Sequence, residues 1–140
     1  MQKVIIDTNV LVSALIQRNY PNFILHNCVF ENHVELCISD DLFEEYLKVL
    51  NRPKFSKYPD FQNKTEFVLA QIESKATKFY PKERLEILDD KDDNRLLELA
   101  SESKADFITT GNTNDFTMTD FKGTKVVSPK DYWDNFRVDF

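Results

Sequence analysis

Glycine is scarce in this sequence, with two residues in 140, and there are only five prolines. A chain of this composition has no low-complexity linker, so we expect one domain over residues 1–140, built around a single core. The sequence also lacks a glycine-rich phosphate-binding loop and the Gly-x-Ser-x-Gly motif of serine hydrolases. The sequence therefore gives no sign of a common nucleotide-binding fold or of an α/β-hydrolase.

No apolar run approaches the roughly 18 residues of a membrane-spanning helix. An acidic residue at position 7 leaves no room for the apolar region of a signal peptide. We therefore expect a cytoplasmic protein with no membrane partner.

Metal-binding and disulfide-forming side chains are few. The two cysteines, Cys28 and Cys37, lie among apolar neighbours, so we expect them to be buried and unpaired in a reducing compartment. His26 and His33 have no Cys or His partner at zinc-ligand spacing, and we assign them no role.

Positive charge is also in deficit, since 18 Lys and Arg face 24 Asp and Glu for a net charge of −6. This balance argues against a simple electrostatic nucleic-acid binder, whose surface would be basic. It does not exclude a nuclease, because four carboxylates gathered around divalent cations would remove most of the excess, and a local basic rim could receive phosphates.

A buried strand that ends in polar residues opens the chain. Residues 4–6 are β-branched and predict a strand, and Asp7, Thr8 and Asn9 follow directly. At the carboxyl end of a parallel strand, Asp7 is well placed to hold a metal or a substrate. The alternative is that Asp7 only caps the helix that starts near Thr8 or Asn9.

Apolar periodicity predicts an α/β fold with a central, mostly parallel sheet. Further strands are expected at residues 34–38, 86–88, 107–109 and 125–127. Helices are expected at residues 8–17, 20–30, 40–51, 61–79, 93–100 and 128–136. We interpret the long amphipathic helix at 61–79 as scaffold.

Residues 40–60 contain two candidate features. Glu45 falls beside Val49 at the edge of the apolar face of its helix, whereas Glu44 falls on the solvent side; a Glu at such a border is also often only a surface residue. Residues 52–60 combine basic and aromatic side chains, which could receive a single-stranded nucleic acid. An ordinary exposed connection is the alternative for this segment.

Four acids at positions 89, 90, 92 and 93 precede a helix. Acids favour helix N-termini, so most of them need no further purpose. Asp93 differs because it shares the apolar face of the helix with Leu97 and Ala100. Pointing an ionised carboxylate toward a core is costly unless a cation or hydrogen bonds meet it.

The strand at 107–109 repeats the pattern of the first strand, because polar residues follow its carboxyl end. These residues are Thr110, Asn112 and Asp115, and Gly111 suits a tight turn among them.

Carboxylates from separate segments can meet at one end of such a sheet. The candidates are Asp7, Glu45, Asp93 and Asp115, with Asn112 as a neutral ligand. Like charges this close repel one another unless a divalent cation compensates them. Ligands that are all oxygen suit Mg²⁺ or Mn²⁺ better than zinc, and such a site can activate water against a phosphodiester.

These segments, taken in order, resemble the successive motifs of the PIN domain family. The motifs are the opening Val-Ile-Ile-Asp7-Thr-Asn, residues 39–50 with Glu45, residues 90–100 with Asp93, residues 105–112, and residues 126–130. The resemblance covers nearly the whole chain and is closest to the VapC-like group of toxins. It implies a three-layer α/β/α domain and a Mg²⁺- or Mn²⁺-dependent ribonuclease, often a homodimer, that a protein antitoxin holds inactive.

By position in these motifs, Asp7, Glu45 and Asp93 match the first three acids of the family. The family pattern has an Asp directly after Thr-Gly, where this chain has Asn112, and Asp115 is the alternative source of the fourth charge. Thr8, Asn9 and Thr110 are expected to orient ligands or water.

Two other functions remain open. The chain could be a catalytically degenerate PIN-like module that binds RNA or a protein, as Asn112 and the acidic balance suggest. It could also be an RNA-processing nuclease without an antitoxin.

Overall fold

The computed structural model describes residues 1–139, and its strands form one six-stranded sheet in the order β3-β2-β1-β4-β6-β5. The strands are β1 (Lys3–Ile6), β2 (Glu35–Ile38), β3 (Thr77–Lys78), β4 (Phe107–Thr109), β5 (Asp120–Phe121) and β6 (Thr124–Val127). All neighbours pair in parallel except β5 and β6. The predicted α/β fold with a mostly parallel sheet is confirmed. The predicted single domain includes Phe140, which lies outside the described residues.

Helices cover both faces of the sheet, which confirms the predicted three-layer arrangement. They are α1 (Thr8–Ile16), α2 (Tyr20–Phe23) with a π-helical continuation at Ile24–Phe30, α3 (Asp40–Leu50), α4 (Phe61–Lys75), α5 (Lys91–Ser103) and α6 (Pro129–Asp131), which continues as a π-helical turn at Tyr132–Phe136. The connection through α5 runs from β3 back to β4, opposite in direction to the connections before it. Right-handed crossovers therefore place α5 on the other face from α1, α3 and α4.

The two central strands are apolar on both faces, as strands covered by helices must be. Ile5 of β1 pairs with Ile108 of β4, and neither side chain is exposed. Tyr46 of α3 is fully buried, and its hydroxyl donates a hydrogen bond to the Ile6 carbonyl at the end of β1. This contact fixes α3 against the carboxyl end of β1. Cys28 and Cys37 are buried, as predicted.

The topology creates a crevice between β1 and β4. From β1 the chain continues to β2 on one side, and from β4 it continues to β6 on the other. Ligands of open α/β sheets bind at the carboxyl ends of strands where the strand order reverses in this way. The residues after β1 and β4 therefore lie where the fold favours a site.

Two local predictions were wrong, and one strand was missed. The helix predicted at 61–79 ends at Lys75, and Thr77–Lys78 instead extends the sheet beside β2, where the Phe79 amide donates to the Ile38 carbonyl at 2.8 Å. No strand forms at residues 86–88. The antiparallel strand β5 was not predicted, because a two-residue strand has too short an apolar pattern to detect.

Residues 86–88 are held by a buried side chain instead of by a strand. Asn94 of α5 accepts hydrogen bonds from the amides of Ile87 and Leu88 at 3.1 and 2.8 Å and donates to the Leu88 carbonyl at 2.8 Å. Asn94 is only 4% exposed. Its amide thus supplies the backbone partners that a neighbouring strand would otherwise give.

Among residues 1–139, no helix is long and apolar enough to cross a membrane.

Replacing Asn94 with Ala should lower the free energy of unfolding by about 2 kcal/mol, because buried backbone groups lose their partners. Urea unfolding measures the loss, and hydrogen exchange at the Ile87 and Leu88 amides should accelerate with it. Asn135→Ala is the matched control, since that side chain is exposed and its amide donates to the Asp131 side chain rather than to buried backbone. An equal effect in both variants would contradict the anchoring role of Asn94.

Candidate active site

Carboxylates from several segments line one cavity of about 470 Å³ at the carboxyl ends of β1 and β4. They come from the end of β1, from α3, from the start of α5 and from the turn after β4. In chain order they are Asp7, Glu45, Asp90, Asp92, Asp93 and Asp115. The structure therefore brings together all four of the predicted acids, and it adds Asp90 and Asp92.

Asp7 is 8% exposed and accepts hydrogen bonds on both carboxylate oxygens. Oδ1 accepts from the Thr8 amide at 2.7 Å, and Oδ2 accepts from the Thr110 hydroxyl at 2.8 Å and from Asn9 Nδ2 at 3.3 Å. Burial raises the pKa of Asp7, and the donors from Thr110 and Thr8 oppose that rise. Asp7 does cap α1, but the cap uses Oδ1, and Oδ2 is held by the groups around the cavity.

Glu45 reaches the cavity from α3 and is half-buried, at the border position that its helix pattern predicted. The Thr8 hydroxyl donates to Glu45 Oε2 at 2.6 Å. Burial raises the pKa of Glu45, the Thr8 hydrogen bond lowers it, and the carboxylates of Asp92 and Asp7 raise it further. Thr8 thus links the helix that follows β1 to the acid on α3.

Three acids lie at the start of α5: Asp90 just before the helix, and Asp92 and Asp93 in its first turn. Asp90 caps the helix, because its Oδ1 accepts from the amides of Asp92 and Asp93 at 2.7 and 3.3 Å. Burial raises the pKa of Asp93 to about 7, with further contributions from Asp7, Asp90 and Asp115, in that order, and then from Asp92. Asp93 is therefore repelled by the carboxylates of Asp7, Asp90, Asp92 and Asp115.

The turn after β4 completes the cavity. The Thr110 hydroxyl, which donates to Asp7, accepts from the Asn112 amide at 3.0 Å. Asn112 and Asp115 both line the cavity and are exposed. Asp115 is close enough to raise the pKa of Asp93, so it brings negative charge where Asn112 brings none.

Gly111 meets a different constraint from the predicted tight turn. Its φ is not in the left-handed region, unlike that of Gly123. A Cβ at position 111 would lie 3.3 Å from Asn9 Oδ1, which accepts a hydrogen bond from the Gly111 amide at 3.1 Å. The glycine allows the backbone after β4 to approach Asn9 closely.

Comparison with known proteins identifies the family. The family model described as PIN domain matches residues 3–114, a span that includes Asp7, Glu45, Asp93 and Asn112. The chain belongs to the PIN domain family. It is also similar to the uncharacterized protein MJ1680 of Methanocaldococcus jannaschii, with 31% identity over 96% of this chain and 91% of the relative.

PIN domains are generally nucleases, so the family indicates a hydrolase-type activity for this chain. PIN nucleases typically use divalent metals. Asp115 lies one residue beyond the matched span, at the end of the short turn Thr113–Asp115.

The donor set of this PIN domain fits a divalent cation by its chemistry. Among residues 1–139, no three Asp, Glu, His or Cys side chains already surround one point as a finished metal site would. Asp7 Oδ1 and Glu45 Oε2 nevertheless each keep a second lone pair beside the hydrogen bond they accept. Burial first, and the neighbouring carboxylates second, raise the pKa values of Asp7, Glu45 and Asp93, and a bound cation would favour their ionised forms.

Basic and aromatic side chains stand at one rim of the cavity. Of residues 52–60, Arg52, Lys54 and Phe55 line it. The Phe55 ring stacks on Phe61 with centroids 5.2 Å apart, which holds it in place. Part of this segment thus adjoins the acids, as the nucleic-acid hypothesis for it requires.

The sequence missed Asp92 as a cavity residue. On the wheel of α5, Asp92 falls off the apolar face that contains Asp93, so a helix-terminal charge was a sufficient explanation. Asp92 lines the cavity because α5 contacts α3, and Glu45 of α3 lines the same cavity. Only the packing of two helices distant in sequence shows this contact.

Asp93→Asn should stabilise the metal-free protein at pH 8. A folded-state pKa of about 7, above the ordinary value of 3.8, means that the folded state binds the proton more tightly than the unfolded state does. Stability is therefore lost as pH rises from about 4 to about 7. The variant should gain about 1 kcal/mol at pH 8, since solvent screens part of the full effect, and nothing at pH 4.

Thermal unfolding in EDTA at the two pH values measures this difference. Asp139→Asn removes the same charge at an exposed position and is the control. If both variants melt alike at pH 8, Asp93 does not carry the repulsion described above.

Proposed function

We propose that this PIN domain is an endoribonuclease that hydrolyses RNA phosphodiester bonds with Mg²⁺ or Mn²⁺ bound among its acids. The observation that carries the proposal is the gathering of Asp7, Glu45 and Asp93 from three distant segments into one cavity, each with a raised pKa. Burial of mutually repelling acids destabilises a fold, and a divalent cation is the usual compensation.

Asp7, Glu45 and Asp93 would hold the metal, with Asp115 or Asn112 as a further oxygen donor. A bound divalent cation supplies Lewis-acid polarisation of the phosphate and lowers the pKa of water. Thr110 and Asn9 keep the Asp7 carboxylate oriented, and Thr8 does the same for Glu45. Asp93 holds a proton more readily than an ordinary Asp does, so metal binding at neutral pH would release that proton.

Purified protein should cleave a mixed pool of structured and single-stranded RNA in Mg²⁺ or Mn²⁺ and not in EDTA. Asp7→Asn, Glu45→Gln and Asp93→Asn should each reduce the cleavage rate by about 100-fold or more, because each removes a charged metal ligand. Gel separation of end-labelled products measures the rate and distinguishes internal cuts from trimming.

Asp134→Asn, at an exposed position outside the cavity, is the control and should cleave normally. Comparing Asp115→Asn with Asn112→Ala would identify the fourth donor. If the wild type cuts with neither metal, or if cutting survives the Asp7 and Asp93 substitutions, the catalytic proposal fails. The result would then favour a degenerate module that only binds RNA or a protein.

We further propose that the enzyme is the cytoplasmic toxin of a type II toxin–antitoxin pair and that it forms a homodimer. The support is the resemblance of its ordered motifs to the VapC-like group. Expression should arrest growth, Asp7→Asn should relieve the arrest, and co-expression of a short upstream reading frame should do the same. Light scattering should give twice the chain mass. Cleavage without growth arrest would indicate an RNA-processing nuclease instead.

A further inference from the structure

A second cavity, of about 520 Å³, lies between α3 and α5 and opens beside the acidic one. Glu45, Val49, Arg52 and Asp92 line both cavities. The two cavities therefore form one longer groove. The acidic cavity is at one end, and the second cavity, between α3 and α5, is at the other. A bound chain longer than one nucleotide would extend into this second cavity.

The second cavity is lined by five cations and four acids, whereas the acidic cavity is lined by two cations and six acids. Six of the 18 Lys and Arg residues line the two cavities. They are Lys48, Arg52, Lys54, Arg84, Lys91 and Arg95. Cations beside an acidic centre help a polyanion to approach that centre.

Two of these cations already have partners. The buried Glu98, 2% exposed, forms ion pairs with Arg95 at 2.9 Å and with Arg84 at 3.3 Å. The Leu85 amide donates to the same carboxylate at 2.7 Å. Arg95 is mostly buried in this network, and the more exposed Arg84 shares its charge between Glu98 and Asp41, the latter at 3.2 Å.

Of the other four, Lys54 has its Nζ 5.1 Å from the centroid of the Phe55 ring, and three cations remain available. Lys48, Arg52 and Lys91 are exposed, and among residues 1–139 none of them forms an ion pair with an acid. Lys48 comes from the last turn of α3, Arg52 from just after it, and Lys91 from the first residue of α5. They stand on both sides of the groove, with Arg52 at its junction with the acidic cavity.

We propose that Lys48, Arg52 and Lys91 form a phosphate-binding track that holds the single-stranded RNA substrate on one side of the cleaved bond. The inference rests on the proposed nuclease function and identifies the form of its substrate. Phe55 at the rim offers a ring on which a base of the same strand stacks. Stacking needs unpaired bases, which is why the track favours a single strand over a duplex.

Binding in EDTA tests the track separately from cleavage. Fluorescence anisotropy compares labelled single-stranded RNAs of about 4 and about 12 nucleotides, lengths that bracket a typical single-strand site. The longer strand should bind the wild type at least about tenfold more tightly, because only it is long enough to contact all three cations at once. The triple variant Lys48→Gln, Arg52→Gln, Lys91→Gln should abolish this gain and reduce the salt slope of binding by about 2.

The matched control replaces Lys64, Lys104 and Lys125 with Gln, which removes the same charge at exposed positions outside both cavities. It should keep the length dependence. If the triple variant fails to fold, the single variants Lys48→Glu and Lys91→Glu replace it, and each should weaken binding of the longer strand alone.

The failures of the two proposals are distinguishable. Length-dependent binding that the triple variant abolishes, without cleavage by the wild type in metal, would leave the track and remove the nuclease. Cleavage with equal binding by the triple and control variants would overturn the track. Equal or tighter binding of a duplex of the same sequence would overturn the single-strand assignment.

Discussion

The hydrogen bond from the Thr110 hydroxyl to Asp7 joins the ends of the two central strands, and the rest of the site is built around it. It opposes the rise in the pKa of Asp7 that burial causes. Thr8, the next residue in the chain, extends the connection to Glu45. Two threonine hydroxyls thus connect β1, β4 and α3 at the point where the fold gathers negative charge.

Gathering that charge has a cost in stability. The folded protein holds Asp7, Glu45 and Asp93 where burial and mutual repulsion both disfavour ionisation. A fold selected for stability alone would separate these side chains or make them apolar. The same strain is what a cation bound at the proposed metal site would relieve.

The segment before α5 has no regular secondary structure, yet hydrogen bonds to α5 hold it in place beside the acids. Asn94 and Glu98, both buried, provide partners for the amides of residues 85, 87 and 88, and Asp90 caps the helix directly after that stretch. The same helix therefore anchors its own approach, presents Asp93 to the acids and directs Lys91 to the groove. The start of α5, packed against α3, therefore supplies residues to both the acidic cavity and the second cavity.

The sequence by itself determined the fold class and the four candidate acids, because apolar periodicity and polar residues at strand ends are local signals. Apolar periodicity did not determine how far α4 extends or how residues 86–88 are held, since an edge strand and a buried Asn depend on partners distant in sequence. Tertiary structure alone decided that Asp92 joins the cavity, that Gly111 serves a close approach to Asn9, and that Lys48, Arg52 and Lys91 share one groove. Each of these facts is a distance between segments, and only the packing of α3, α5 and the strand ends sets such distances.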